Sequence, residues 1–158
     1  MAREKRVKDL AIPLTDYPHM PYWGTLKEAI AQLNVVYETG YNTVLVFDES
    51  YKFVGMLLQR DILRGLEPKF ARHFKRGFPV SWDDLVKPES QKRLSMPVKE
   101  FMSVVAATVD VGDSLLKASH IMLREAAYLL PVMEGDKVIG IVRMEDLFYE
   151  ITNAVLKL

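Results

Sequence analysis

Between Thr25 and Gly40 the apolar residues Leu26, Ala29, Ile30, Leu33 and Tyr37 recur at helical spacing. Thr25, with Glu28 three residues later, reads as a capping box that opens this helix, and Gly40 predicts where it stops. Two short apolar runs follow, Thr43 to Asp48 and Phe53 to Leu58, and the polar stretch Glu49-Ser50-Tyr51-Lys52 between them predicts a hairpin. A second helix is predicted from near Asp61. The same order then returns. Leu115, Ala118, Met122 and Leu123 mark a helix, Leu129 to Met133 and Val138 to Val142 mark strands turning at Gly135-Asp136, and a last helix from near Asp146 keeps Leu147, Ile151 and Val155 on one face.

The residues repeat as well as the pattern. Val7-Lys8-Asp9-Leu10 answers to Val98-Lys99-Glu100-Phe101, and Thr25-Leu26-Lys27-Glu28-Ala29 to Ser114-Leu115-Leu116-Lys117-Ala118. Downstream, Val44-Leu45-Val46 answers to Leu130-Pro131-Val132, Phe53-Val54-Gly55-Met56-Leu57 to Val138-Ile139-Gly140-Ile141-Val142, and Arg60-Asp61-Ile62-Leu63 to Glu145-Asp146-Leu147-Phe148. The chain therefore divides into a first unit at 1–66, a connecting insert at 67–95 and a second unit at 96–158, each unit being strand, helix, strand, strand, helix. A domain of about 60 residues has a marginal core by itself, so the two sheets are expected to pack together. The insert carries Lys69, Arg72, His73, Lys75 and Arg76, a solvated basic face or a surface for phosphates or an acidic partner, followed by Ser81-Trp82-Asp83-Asp84, which looks like a capped helix start.

Composition narrows the function classes. Lysine plus arginine balances aspartate plus glutamate at 21 each, so no net field holds nucleic acid, and nucleic-acid binding is not expected. With no cysteine there are no disulfides, thiolate catalysis or cysteine-held metals. His19, His73 and His120 have no ligand spacing among them, and no metal site is expected. The charged amino terminus lacks a signal-like apolar stretch and no apolar run approaches the roughly 20 residues that span a bilayer, so the expectation is a cytoplasmic protein without a membrane segment. A nucleophile elbow, a phosphate-binding glycine loop and a dinucleotide fingerprint are all missing, and no enzyme activity is expected.

The repeated blocks, valine-lysine-acid, then Thr/Ser-Leu-x-x-Ala, then the hydrophobic run with Pro131-Val132, then Gly55 to Asp61 and Gly140 to Asp146, resemble the cystathionine β-synthase (CBS) domain twice over. The resemblance implies a mixed α+β (α/β) fold, two CBS units related by a pseudo-twofold and packed sheet to sheet as a stand-alone Bateman module. It also implies two clefts, each able to take an adenosine derivative, and pairing with a second chain into a homodimer, with Phe148, Ile151 and Val155 as a candidate surface.

In such clefts apolar strand residues flank the purine, a carboxylate at the start of the second helix accepts from the ribose hydroxyls, and a hydroxyl three residues earlier meets phosphate. Asp61 and Asp146 hold the ribose position, whereas Leu58 and Arg143 replace the hydroxyl. Leucine cannot contact phosphate, while arginine can do so through a charged fork, which makes the second site the better anion site. Pro131 matches the family proline where the first unit has Leu45, and Leu130 stands beside it; Tyr128 either stacks on a purine or joins the core. Thr108, before the second unit's first helix, is a contact residue whose counterpart is His19, and Thr43 opens the first hairpin. His19 lies in the aromatic loop Tyr17 to Trp23, which could itself fill the first cleft. The expected ligand is AMP, ADP or ATP, with S-adenosylmethionine or NAD as further adenosine derivatives, and occupancy would be read by a regulated protein partner. The competing reading is an interaction module that serves dimerisation with its clefts filled or empty.

Overall fold

The computed structural model describes residues 4–67 and 81–158; the basic run Lys69 to Arg76 lies outside them. In chain order the elements are α1 (Val7–Leu10), β1 (Ile12–Pro13), β2 (His19–Pro21), α2 (Leu26–Val35), β3 (Val44–Phe47), β4 (Phe53–Leu57), α3 (Gln59–Leu66), α4 (Pro88–Leu94), β5 (Val109–Asp110), α5 (Leu115–Glu125), β6 (Leu129–Glu134), β7 (Lys137–Arg143) and α6 (Met144–Leu156). The fold is mixed α and β, as the repeat predicts. Two compact units divide the chain: a central one, Pro18–Val104, and a terminal one made of Met1–Tyr17 with Val105–Leu158.

The terminal unit has the sheet order β1-β7-β6-β5, in which β5 runs parallel to β6 and the other pairs are antiparallel. Val109, Leu130, Val132 and Val142 point from this sheet onto Ala118, Ile121 and Met122 of α5 and Leu147 of α6, and Val7 of α1 closes the same core. Ser114 caps α5 by accepting from the Lys117 N–H at 3.1 Å. Just before it, the Asp113 carboxylate accepts the Asp110 backbone N–H at 2.9 Å and meets Lys117 Nζ at 3.1 Å. Those two contacts, the backbone bond above all, hold the Asp113 carboxyl below its ordinary value.

The central unit repeats this plan with β2 parallel to β3 and β3 antiparallel to β4, and with Ser103 bridged to Met56 on the far edge of β4. Its core joins Met20, Val44, Val46 and Leu57 to Leu26 and Ala29 of α2, Ile62 of α3 and Val98. Thr25 caps α2 as its box predicts, accepting from the Glu28 N–H at 3.1 Å. From the insert, α4 starts at Pro88 and packs on α2 and α3, where buried Arg93 donates to the Leu66 carbonyl at 3.3 Å and to Ser90 Oγ at 3.2 Å.

The compact units do not follow the sequence repeats, because each is completed by the segment that leads into the other repeat. Val7 and Lys8 donate to the Asp113 and Val111 carbonyls at 3.0 and 3.1 Å, and Val98 and Lys99 donate to the Gly24 and Tyr22 carbonyls at 2.7 and 3.2 Å. The repeated valine-lysine block is thus a docking strap, and its valine is the buried residue in both cases. This explains the repeated glycines. A Cβ on Gly140 would lie 2.1 Å from the Ile12 carbonyl oxygen, and one on Gly55 would lie 2.9 Å from that of Ser103. Glycine inside a strand marks just such a backbone approach. A register shift precedes the glycine in both hairpins, between Val46 and Phe47 and between Val132 and Met133.

Three local expectations need correction. The α2 helix ends at Val35 and a single 3-10 turn, Tyr37–Thr39, reaches the left-handed Gly40 at φ 79°, so Tyr37 is exposed and not on the buried face. Two successive β-branched residues, Val35 and Val36, disfavour another α-turn, and the Thr39 hydroxyl takes the Val36 carbonyl. Ser81 opens a 3-10 turn, Trp82–Val86, and not an α-helix; the Asp84 carboxylate accepts the Ser81 N–H at 2.8 Å. On α6, Leu147 is buried and Ile151 packs inward, but Val155 is 58% exposed because the helix runs past its sheet.

Candidate functional site

Each hairpin delivers its last strand straight into a helix. Leu58 and Arg143 are the extended residues that cap α3 and α6, and Asp61 and Asp146 are the third residue of the helix in each case. That position points a carboxylate back at the cap, and the positive end of the helix dipole favours its charge. The two aspartates are equivalent in the chain but not in their surroundings.

In the terminal unit the Asp146 side chain is 32% exposed and is gripped by a two-pronged guanidinium. Arg143 Nε donates to Oδ2 at 2.9 Å and Nη2 to Oδ1 at 3.1 Å, while Nη1 lies 3.0 Å from Glu145. Leu129 pairs with Arg143 across the hairpin, so Tyr128 stands at the same end of the sheet. It belongs to the surface and not to the core, being 77% exposed, and its carbonyl accepts the Met144 N–H of the first turn of α6 at 2.8 Å. Thr108 is exposed immediately before Val109, which pairs with Val132; the register therefore sets Thr108 level with Pro131. Pro131 lies on the face of β6 away from α5, whereas the Leu130 side chain belongs to the unit's own core. Thr108, Tyr128, Pro131, Arg143 and Asp146 thus gather at one end of one sheet, and Leu130 does not join them.

In the central unit the matching aspartate is closed in. Asp61 is only 2% exposed; it accepts the Leu58 N–H at 2.9 Å and the Ser103 hydroxyl at 2.9 and 3.0 Å, and Arg64 Nη1 lies 3.6 Å away. Ser103 was the residue that reasoning from sequence missed. Its signal was present: extending the valine-lysine blocks aligns Ser103 with Ile12, a polar residue where the other strap is apolar. His19 pairs with Leu45 as Thr108 is set level with Pro131, with its ring edge-on to Phe47 at 6.2 Å. Thr43 is buried and its hydroxyl donates to Asn42 Oδ1 at 3.1 Å. In the aromatic loop, Tyr22 lies edge-on to Trp23 at 5.4 Å and Lys99 Nζ stands 5.5 Å from its ring centre. A hydrogen bond to Glu49, and that residue's charge, push the Tyr22 hydroxyl pKa up.

Residues 98–153 match the family model of the CBS domain. The whole chain resembles solved CBS structures: a CBS domain-containing protein of Kribbella flavida (TM-score 0.70, 18% identity, 94% of this chain and 98% of that one) and one of Bacillus anthracis (0.69, 21%, 94% of each). It also resembles CBSX2 in complex with AMP (0.66, 18%, 94% and 97%). No curated protein matches the sequence. The second repeat thus resembles the CBS domain, and the chain has the fold of solved CBS-domain proteins. Among the described residues no helix is long and apolar enough to cross a membrane.

Proposed function

We propose that the chain is a regulatory module that binds an adenine nucleotide, AMP, ADP or ATP, at the Asp146 site and has no catalytic activity of its own. The observation that carries this reading is the grouping of Arg143, Asp146 and the amino terminus of α6 beside exposed Tyr128 and Thr108. A carboxylate suits the ribose diol, an arginine and a helix amino terminus suit phosphate, and an aromatic ring suits a purine face. The likeness to a CBS protein solved with AMP supports the choice of ligand. S-adenosylmethionine and NAD share the adenosine half and are the comparison ligands.

Removing the Asp146 carboxylate takes away two charge-assisted bonds. Asp146→Ala is expected to lose about 1.5 to 3 kcal/mol of AMP affinity, roughly tenfold to a hundredfold. Calorimetric titration checks this, and an unchanged affinity would move the ligand away from Asp146.

The central unit favours the second reading, an interaction element, for its own half. Its Asp61 is already satisfied by Ser103 and the backbone, and Leu58 offers phosphate nothing. One nucleotide per chain is the stoichiometry this implies. For the output, we propose pairing with a second copy through the outer face of α6, where Phe148 is 68% exposed, with the regulated partner sensing the pair. Sedimentation at micromolar concentration should show twice the 18.1 kDa mass for the parent and a shift toward the single chain for Phe148→Glu.

A further inference from the structure

We propose that the Arg143–Asp146 ion pair is a gate that makes the terminal site select ligands carrying both a ribose diol and a phosphate. This rests on the nucleotide reading above. Both oxygens of Asp146 already receive an N–H of the same guanidinium, at 2.9 and 3.1 Å. A vicinal diol presents two donors at similar spacing and asks for the same two oxygens. The guanidinium and the diol therefore compete, and binding requires Arg143 to turn away from Asp146. A phosphate gives it a fork-matched destination. Adenosine gives it none, and leaves the cation with Glu145, 3.0 Å away, as its acidic neighbour at the helix start.

The fold itself does not need this pair. At the equivalent place α3 begins with Leu58 and Asp61, so the cap residue carries no charge, and the charged neighbour of Asp61 is Arg64 at 3.6 Å. In the central unit the buried aspartate is held by a part-buried serine hydroxyl and the Leu58 N–H, neither of which an anion draws off. In the terminal unit it is held by a partly exposed arginine that an anion can. The exchange is an equilibrium between two partners for one carboxylate, so a ligand shifts it only by its different affinity for the two states.

The gate makes an unusual sign prediction. In Arg143→Ala, AMP should bind tenfold or more weakly, while adenosine should bind about tenfold more tightly because Asp146 no longer has to be released. Arg143→Gln, which keeps a polar side chain without the charge, should behave likewise. In the parent, inorganic phosphate should tighten adenosine binding by drawing Arg143 away, a positive coupling that disappears in both variants. Calorimetric titration with AMP, with adenosine, and with adenosine plus inorganic phosphate reads all three effects, and thermal melting confirms that the variants fold. If the parent binds AMP but adenosine binds no better to the variants, the gate is overturned while the nucleotide site stands. If neither parent nor variants bind AMP or adenosine, the nucleotide reading falls and the gate falls with it.

Discussion

Gly140→Ala is expected to destabilise the protein by about 3 kcal/mol or more, among the largest effects open to a single methyl group. The added carbon would stand 2.1 Å from the Ile12 carbonyl oxygen, 3.0 Å from the Ile12 carbonyl carbon and 3.4 Å from the Pro13 Cα. All three are backbone atoms of β1, so no side-chain rotation relieves the clash. Either β7 bends or β1 leaves it, and loss of β1 would uncover the edge of β7 and weaken the seat of Val7, which is fully buried in the same core. Gly112→Ala is the control: nothing lies within 4 Å of its added carbon, and the change should stay within about 0.5 kcal/mol. Urea unfolding of both variants measures the difference. A Gly140→Ala protein as stable as the Gly112→Ala protein would mean that β1 is not held against β7 in solution.

Asp61→Ala should destabilise by about 2 to 4 kcal/mol, combining the loss of a buried helix-start acceptor with a part-buried hydroxyl left without its acceptor. The Ser103 hydroxyl donates to both carboxylate oxygens, and Ser103 also exchanges backbone bonds with Met56 at 2.8 and 3.0 Å. Asp61 therefore ties three things together: the start of α3, the edge of β4 and the strap on its way to the second repeat. Asp146→Ala, which removes a partly exposed ion pair, should cost under about 1 kcal/mol. The ranking reverses for ligand, where Asp146→Ala should weaken AMP and Asp61→Ala should not. Denaturant titration and calorimetry on the same two variants give the full square. Equal stability losses would show that the two aspartates do equivalent work, and the proposal of one nucleotide per chain would then fail.

The repeat was legible because its signals are local. Hydrophobic periodicity, the Thr25 and Ser114 caps, the Gly135 turn and the length of the motif from glycine to aspartate each depend on residues a few positions apart. These placed both hairpins within about a residue of where they stand and put Asp61 and Asp146 at their helix starts. Leu58 and Arg143, the unlike residues that precede the two helices, were likewise readable.

What sequence could not decide was which segments complete which unit. Val7 and Val98 look alike and fit a similar pocket, so identity alone does not say that each docks on the repeat it does not introduce. That choice comes from strand pairing between residues far apart, Ile12 with Ile141 and Ser103 with Met56. The same long-range pairing decided the fate of the two aspartates. A serine on one strap reaches Asp61 and seals it with a short hydroxyl, while the other strap brings Ile12, and Asp146 is held by its own neighbour Arg143. A carboxylate's chemistry depends on what lies within about 3 Å of it, and here those neighbours are set by the exchange of straps, which only the tertiary structure determines.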